Sequence, residues 1–399
     1  MPIDLLTELL GLPQVVVTDY ELPDAERLLV RIAVETPAAL CPTCGQLSTA
    51  VHSYGSPRTI RDLDLWGRRC YLRWTPRQFE CATCQDTFVE RLFWLAPRHH
   101  HTRRFEQAVY DLTRRTNVVE AAVHYGLSDE SVAGIFQQYA TQQVTQRGYP
   151  TVRTLHVDEI ASQKGHGHYR LILSSPEVGV LEVLADRQQA SLEAWFAARG
   201  PEWCAAVQEF HADMWRPYHT AARAYLPNVT MTTADHFHVI ENLHKALNTV
   251  RRTLQRHADE ATRQHLKGSR WLLLKNPAKL TEAEQLQLTA ILDAVPELRQ
   301  AYDLKEAFRA IYTLRTPQEA AHRLADWLEQ AEKEGHAAWQ AFVTTVQNWR
   351  EEILRFFVER GSNGFAEGIN NKIKLILRRA FGCANFAHLR LRIIVAFGL

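Results

Sequence analysis

The chain has 399 residues, 46% of them hydrophobic and 23% charged. That is ordinary globular composition with room for two or three domains, and it excludes a disordered tail protein or a small stapled scaffold. The formal net charge of +1 argues against a nucleic-acid partner only until it is divided along the chain. Residues 1–57 carry two arginines against seven acids (net −5), and 58–115 carry twelve arginines against seven acids (+5). Residues 116–367 sum to −5, and 368–399 hold six Lys/Arg with no acid (+6). Two basic segments therefore hide inside a neutral total.

No charged start leads into an apolar run of signal-peptide type, and no apolar stretch approaches the roughly 20 residues a membrane helix needs. A soluble, cytoplasmic protein without a membrane partner is expected. Seven cysteines, four of them in two CxxC pairs, point to metal binding by reduced thiols rather than a disulfide framework.

Cys41-Pro-Thr-Cys44-Gly and Cys81-Ala-Thr-Cys84 bracket a stretch with strand-like spacing of Ile60, Leu63, Leu65, Tyr71, Leu72, Trp74 and Phe79. Two such knuckles complete the tetrahedral shell of a zinc ribbon, and four thiolates leave no open position for chemistry, so the zinc is structural. Gly45 supplies the backbone freedom the first knuckle uses, and Gln85 is the less usual residue at the equivalent place. The competing reading is a pair of redox or unliganded CxxC motifs. Cys70, Cys204 and Cys383 read as small buried hydrophobes.

After Pro97 come Arg98, three histidines, Thr102, Arg103 and Arg104, then a helical stretch from Phe105 to about Arg115. The three histidines read as a solvated basic loop, because adjacent side chains diverge too far to share a metal. Val118, Val119, Ala122 and Val123 form a short helix, Gly126-Leu127 a turn, and Ser128 caps a second helix bearing Val132, Ile135, Phe136 and Tyr139. This is helix-turn-helix spacing, and a plain helical bundle uses the same elements. Arg98, Arg103, Arg104 and Ser131 are the candidate DNA contacts here.

From Thr151 the periodicity becomes that of strands. Three runs, beginning at Thr154, Tyr169 and Val178, form a meander; a helix over 191–198, a strand over 206–213, a helix over 217–226, a strand over 229–235 and a helix from about Val239 follow. That order matches a ribonuclease-H-like core, in which the first and fourth strands are neighbours. Asp158 and Asp213, each at the carboxyl end of its strand, then meet despite lying 55 residues apart. Two such carboxylates repel unless a cation lies between them, and oxygen ligands suit Mg²⁺. A third acid comes from a late helix, where Glu367, Asn371, Lys374 and Arg378 share one face while Ile369, Ile373 and Ile376 share the other.

At these residues the chain resembles the ISL-three family of bacterial insertion-sequence transposases, of the DDE class. The cysteine ribbon, the helix-turn-helix, the HVDE, HADMWRPY and ADHFHV segments and the block SNGFAEGINNKIKLILRRAFG stand in family order over nearly the whole chain. The resemblance implies a catalytic triad of Asp158, Asp213 and Glu367 that also ligates Mg²⁺ (or Mn²⁺), two ions per site about 4 Å apart. Asp235 with His238 looks like the DxxH motif of several transposase families; it helps hold the triad or contacts DNA, or else it is a helix cap followed by a partly buried histidine.

The expected architecture is multidomain: a zinc-ribbon domain (1–95), a helix-turn-helix domain (96–150), and a ribonuclease-H-like α/β core (151–242 and 350–399) interrupted by an all-helical insertion (243–349). Trp271, Trp327, Trp339 and Trp349 in the insertion pack its core, with one or two free to stack on an unpaired base. The implied function is DNA transposition: binding of double-stranded terminal inverted repeats, cleavage, and strand transfer into target DNA. A nucleoid-associated homodimer or larger synaptic assembly goes with it. Lys374, Arg378, Arg379, Arg390 and Arg392 are expected to face DNA phosphates. A DNA-binding regulator with an inactive catalytic domain and a nuclease that cuts without joining are the alternatives.

Overall fold

The computed structural model describes residues 2–161, 169–229, 231–234, 236–333, 336–358, 364–380 and 385–397; Asp235 and Cys383 lie outside the described residues. The chain divides into two compact units, one ending at Gln146 and one beginning at Arg147. Among the described residues, no helix is long and apolar enough to cross a membrane.

The first unit opens with helix α1 (Ile3–Leu10), which packs Leu6 and Leu10 on strands β1 (Val15–Glu21) and β2 (Arg27–Val34). A short hairpin, β3 (Ala39–Leu40) and β4 (Leu47–Ser48), carries the first CxxC. Then come β5 (Val51–Tyr54), β6 (Arg58–Arg61), β7 (Arg69–Trp74), β8 (Arg77–Glu80) and β9 (Thr87–Val89). They sort into two sheets. One has the order β1-β2-β7-β6 with β2 parallel to β7, and the other is β5-β8-β9.

Most of the strand-like stretch between the two CxxC motifs thus serves a different sheet from the ribbon. Ile60, Leu72 and Trp74 are buried with Val15, Val17, Leu28, Val30 and Ile32 in one core, whereas Phe79 packs with Phe88 beside Cys41 and Cys81. Alternation alone shows that a strand has one apolar face and does not say which core receives it.

Three helices complete this unit: α2 (Arg103–Arg115), α3 (Val118–Tyr125) and α4 (Asp129–Arg147). Thr102 caps α2, Asn117 caps α3, and Gly126 closes α3 in the left-handed region at φ +64. Ser128 Oγ accepts from the Ser131 N–H at 3.2 Å, which starts α4 where capping chemistry places it. Val132, Ile135 and Phe136 are buried, but α3 turns Ala121 and Ala122 inward and leaves Val119 and Val123 exposed. Small alanines let the helix approach closely, so the larger valines fall on its outer side.

The second unit is built on a five-stranded sheet of β10 (Thr154–Ala161), β11 (Tyr169–Ser175), β12 (Gly179–Leu184), β13 (Glu209–Ala212) and β14 (Met231–Ala234), in the order β12-β11-β10-β13-β14. The first three strands are antiparallel neighbours, and β10, β13 and β14 run parallel. Parallel neighbours need crossovers, supplied by α5 (Gln189–Arg199) with α6 (Pro201–Ala206), and by α7 (Arg216–Tyr225). These helices bury Leu192, Phe196, Tyr218 and Ala221 on one face of the sheet against Leu155, Val157, Leu171 and Phe210.

The remaining helices are α8 (His236–His257), α9 (Glu260–Leu266), α10 (Arg270–Leu274), α11 (Glu282–Ala294), α12 (Pro296–Ile311), α13 (Pro317–Lys333), α14 (Ala337–Asn348), α15 (Arg350–Arg355), α16 (Gly364–Arg379) and α17 (Phe386–Phe397). Helices α8 to α15 share a core of their own that buries Trp327, Trp339 and Trp349. Helix α17 packs on β12 so closely that a Cβ at Gly179, which has φ +78, would collide with the Phe397 carbonyl.

Candidate active site

Strand pairing determines what meets at the sheet edge. β10 and β13 are in parallel register from Thr154↔Glu209 to Val157↔Ala212, so Asp158 and Asp213 are the next residue on each strand. Asp158 is not at the end of β10 as the spacing suggested. The strand continues to Ala161 because its other neighbour, β11, keeps pairing with it there; only the pairing with β13 stops at the carboxylates.

The same register stacks His156 on His211, two residues before each aspartate, with ring centroids 4.6 Å apart and Phe365 5.5 Å from His156. Both strands therefore carry His-x-Asp, a repeat visible in the sequence as HVD and HAD.

Each carboxylate is positioned by its own backbone. The Glu159 N–H donates to Asp158 Oδ1 at 2.7 Å, and the Met214 N–H donates to Asp213 Oδ1 at 2.6 Å. His219, fully buried, bonds the Asp213 carbonyl through Nε2 at 3.1 Å. His238, from the first turn of α8, brings Nδ1 to 3.6 Å from Asp213 Oδ1 and 3.7 Å from Glu241 Oε2.

Helix α16 reaches the same place. Asn370 Nδ2 donates to Asp158 Oδ2 at 2.6 Å, while its Oδ1 is buried with no hydrogen-bond partner among the described residues. Glu367 lies one helical turn before Asn370 and is exposed. Ile369 and Ile373 are buried, as the amphipathic pattern requires. Burial raises the Asp158 carboxyl above its usual range, and the neighbouring Asp213 adds to the shift; hydrogen bonds from Glu159 and Asn370 and the nearby His238 oppose it.

On the opposite face of β10, Glu159 accepts from Tyr218 Oη at 2.5 Å and from Arg187 Nη1 at 3.0 Å. Arg187 in turn lies 4.6 Å from the Tyr169 ring and 5.2 Å from the Trp215 ring.

In the first unit the four thiols of Cys41, Cys44, Cys81 and Cys84 all lie within 4.8 Å of one another. A zinc ion with bonds of about 2.3 Å separates its sulfurs by roughly 3.8 Å, so the set fits. The two knuckles repeat the same backbone bonds: Gly45 N–H to the Cys41 carbonyl at 2.9 Å and Gln85 N–H to the Cys81 carbonyl at 2.8 Å. Gln85 takes φ +56 where Gly45 takes +73, so the less usual residue adopts the same turn. N–H donors of Cys44 and Thr43 draw the Cys41 thiol down to about 6, a thiolate-favouring setting. Cys70 and Cys204 are buried, and burial pushes the Cys70 thiol up to about 12.

Comparison with known proteins matches residues 155–393 to a transposase family, 37–84 to the zinc-finger of transposase IS204/IS1001/IS1096/IS1165, and 90–140 to the helix-turn-helix domain of transposase family ISL3. The chain belongs to the ISL3 transposase family. The transposase for insertion sequence element IS1001 of Bordetella parapertussis is 28% identical over 90% of this chain and 88% of its own length. That for IS1557 of Mycobacterium tuberculosis is 24% identical over 90% and 86%.

The transposase thus acts on DNA and carries a helix-turn-helix for binding it, and its candidate DNA contacts separate by position. Arg98, Arg103, Ser131, Asn371, Lys374, Arg378 and Arg379 are exposed. Arg104 is engaged inside the fold: it donates through Nε to Asp62 Oδ1 at 2.8 Å, through Nη2 to Asp62 Oδ2, and through Nη1 to the Leu10 carbonyl at 2.8 Å. Arg390 departs from expectation for the same reason, and Arg392 because it is buried. Arg390 clasps buried Glu182 with bonds of 2.5 and 2.6 Å, and Arg392 is 5% exposed. Asn370, and not its neighbour Asn371, is the amide that meets Asp158, and the i+3 spacing from Glu367 is the sequence signal for it.

Proposed function

We propose that this transposase cuts and joins DNA by metal-dependent phosphoryl transfer through a DDE triad of Asp158, Asp213 and Glu367. One observation carries the reading: two aspartates follow the last register pair of adjacent parallel strands, and the helix bearing Glu367 bonds to the first of them through Asn370. The sheet order, with three antiparallel strands followed by two parallel ones, supports a ribonuclease-H-like core over 151–242 and 350–399. The separate core of α8 to α15 supports a helical insertion over 243–349. Residues 1–95 and 96–150 are the ribbon and helix-turn-helix domains of this scheme.

The donor set fits a divalent cation. A half-buried carboxylate with a raised pKa, a second carboxylate beside it and a buried amide oxygen without a partner are all hard oxygen donors. Asp158 and Asp213 would hold Mg²⁺ or Mn²⁺, with Glu367, which is exposed and not gathered with them into one ligand cluster among the described residues, as the proposed third ligand. Such ions, when bound, supply Lewis acidity that activates a water or a DNA 3'-hydroxyl and neutralises the leaving oxygen.

The chain's own residues do the positioning. Asn370 Nδ2 and the Glu159 N–H fix both oxygens of Asp158, and His238 sits beside Asp213, leaving the DxxH pair an auxiliary role through His238. Lys374, Arg378 and Arg379 on α16 meet strand phosphates near the acids. Arg98, Arg103 and Ser131 contact the terminal inverted repeats, and two ends are brought together by a homodimer or larger assembly.

Purified protein supplied with end-bearing DNA and Mg²⁺ or Mn²⁺, with cleavage and strand transfer assayed separately, tests this reading. Asp158→Ala, Asp213→Ala and Glu367→Ala should each abolish both steps and spare end binding. A variant that still cuts removes its residue from the triad; a wild type that cuts without joining is a nuclease, and one that only binds is a regulator.

A further inference from the structure

The acidic total of residues 116–367 conceals a third basic region. Residues 251–279 hold eight Lys/Arg against two acids. They occupy the corner where the end of α8 meets α9 and α10. Arg252 and Arg256 stand one turn apart on α8, Lys267 follows α9, Arg270 opens α10, and all four are exposed. Arg251 ties the corner together, donating to Asn248 Oδ1 at 3.1 Å, Gln255 Oε1 at 3.0 Å and the Leu266 carbonyl at 3.3 Å. Its guanidinium is lowered first by burial and then by Arg252 and Arg270, so these three arginines share one field.

The acids at hand are spoken for. Asp259 caps α9 through the Thr262 N–H at 2.7 Å, Glu260 pairs with Arg263 at 3.1 Å, and Glu284 pairs with Lys275. Among the described residues, no carboxylate comes within 4 Å of Arg252, Arg256, Lys267 or Arg270. Trp271 is the second observation. It is 71% exposed with the Arg270 guanidinium 4.9 Å from its ring, whereas Trp327, Trp339 and Trp349 are at most 5% exposed. The indole is thus set apart from the other tryptophans of the helical segment and lies beside the cluster's own cation, a stacking surface next to phosphate-binding donors.

We propose that this corner is a second duplex-DNA surface, on which Arg252, Arg256, Lys267 and Arg270 meet backbone phosphates and Trp271 packs against the sugar edge. Acidic proteins and anionic membranes would answer the same charges. DNA is favoured because this chain acts on DNA and carries a helix-turn-helix for it, so a second weak contact to the same polymer adds to the first by multivalency. The proposal rests on the transposase reading for its partner and not on the triad.

The test measures binding of a duplex lacking element ends, without divalent metal, as salt is raised. Each lost phosphate contact flattens the plot of log affinity against log salt by about 0.9. The combined R252A/R256A/K267A/R270A variant should flatten it by about 3 to 4, and Trp271→Ala should weaken binding about 2- to 10-fold with the slope kept. An unchanged slope in a variant that melts like wild type overturns the surface, as does binding to anionic vesicles with DNA affinity unaffected. Should the combined variant misfold, Arg252→Glu and Lys267→Glu singly decide, each expected to lower the slope by at least about 1. Because no cleavage is read, failure of the triad leaves this result standing, and an unchanged slope beside normal cleavage refutes the surface alone.

Discussion

Arg103 and Arg104 are adjacent and look equivalent in the sequence, yet their replacement by alanine should have opposite signatures. Asp62 is fully buried and accepts from Thr102 Oγ1 at 2.6 Å as well as from two nitrogens of Arg104. Arg104→Ala leaves that carboxylate with the threonine alone. Breaking a buried pair from one side costs about 3–5 kcal/mol. The side chain of Arg104 is one-third exposed, which sets the expectation near the low end, about 3 kcal/mol. For a unit of this size that is a fall in Tm of roughly 6–12 °C. Arg103→Ala, at an exposed position lining a polar cleft with Gln107 and Gln138, should stay within about 0.5 kcal/mol of wild type and lower the DNA salt slope by about 1. Urea unfolding and anisotropy titrations of both variants make the comparison, with Asp62→Asn added to R104A to recover most of the loss. If R104A unfolds like wild type and only its salt slope falls, the buried pair is not what holds Arg104.

Cys41→Ser should release zinc and weaken end binding by loosening the ribbon, and elemental analysis showing unchanged metal would reject the site. Acidification should expel zinc as protons compete with the metal for the four sulfurs. Asp158→Asn should lower cleavage by roughly 10³-fold or more, given several kcal/mol of lost charge stabilisation. It should also stabilise the metal-free protein. Asp158 has a raised pKa in the fold, so its ionised form is disfavoured there; the gain should be absent at pH below the usual carboxylate range and grow as pH rises through the raised value. A gain independent of pH would contradict burial as the cause.

Lys305→Met tests the helical segment. Lys305 is fully buried, donates to the Leu273 carbonyl at 2.8 Å, and is drawn down from 10.5 to about 8 by burial. A depressed lysine destabilises the fold below the folded value, here by roughly 3 kcal/mol at pH 7, and this penalty fades as pH rises from about 8 toward 10.5. After about 1 kcal/mol for the orphaned carbonyl, the variant should gain roughly 2 kcal/mol at pH 7 and almost nothing at pH 10 by denaturant titration. An equal gain at both pH values would refute the assignment.

The strands of the second unit are legible because β11 and β12 carry apolar runs and β10 and β13 alternate, and the order of strands and helices leads to the pairing that brings Asp158 beside Asp213. The knuckles were legible because cysteine spacing is a local constraint. What escaped is what depends on a partner distant in the chain. Nothing local distinguishes Arg104 from Arg103, or Arg390 from Lys374 and Arg378; the difference lies in Asp62 and Glu182, the distant partners of Arg104 and Arg390. The choice between Asn370 and Asn371 likewise rests on where α16 meets β10. Strand β7 alternates, yet it joins β2 in parallel, a pairing that alternation does not encode.

The bond between Asn370 and Asp158 spans 212 positions. At synthesis rates of about 5–20 residues per second, the ribbon and helix-turn-helix are complete on the order of 10 to 50 s before α16 is made. A nascent chain in that interval has its helix-turn-helix segment but lacks the helix that meets Asp158. On the proposed function, a chain shortened before α16 is expected to bind DNA without cutting it, so the two activities are separable by truncation.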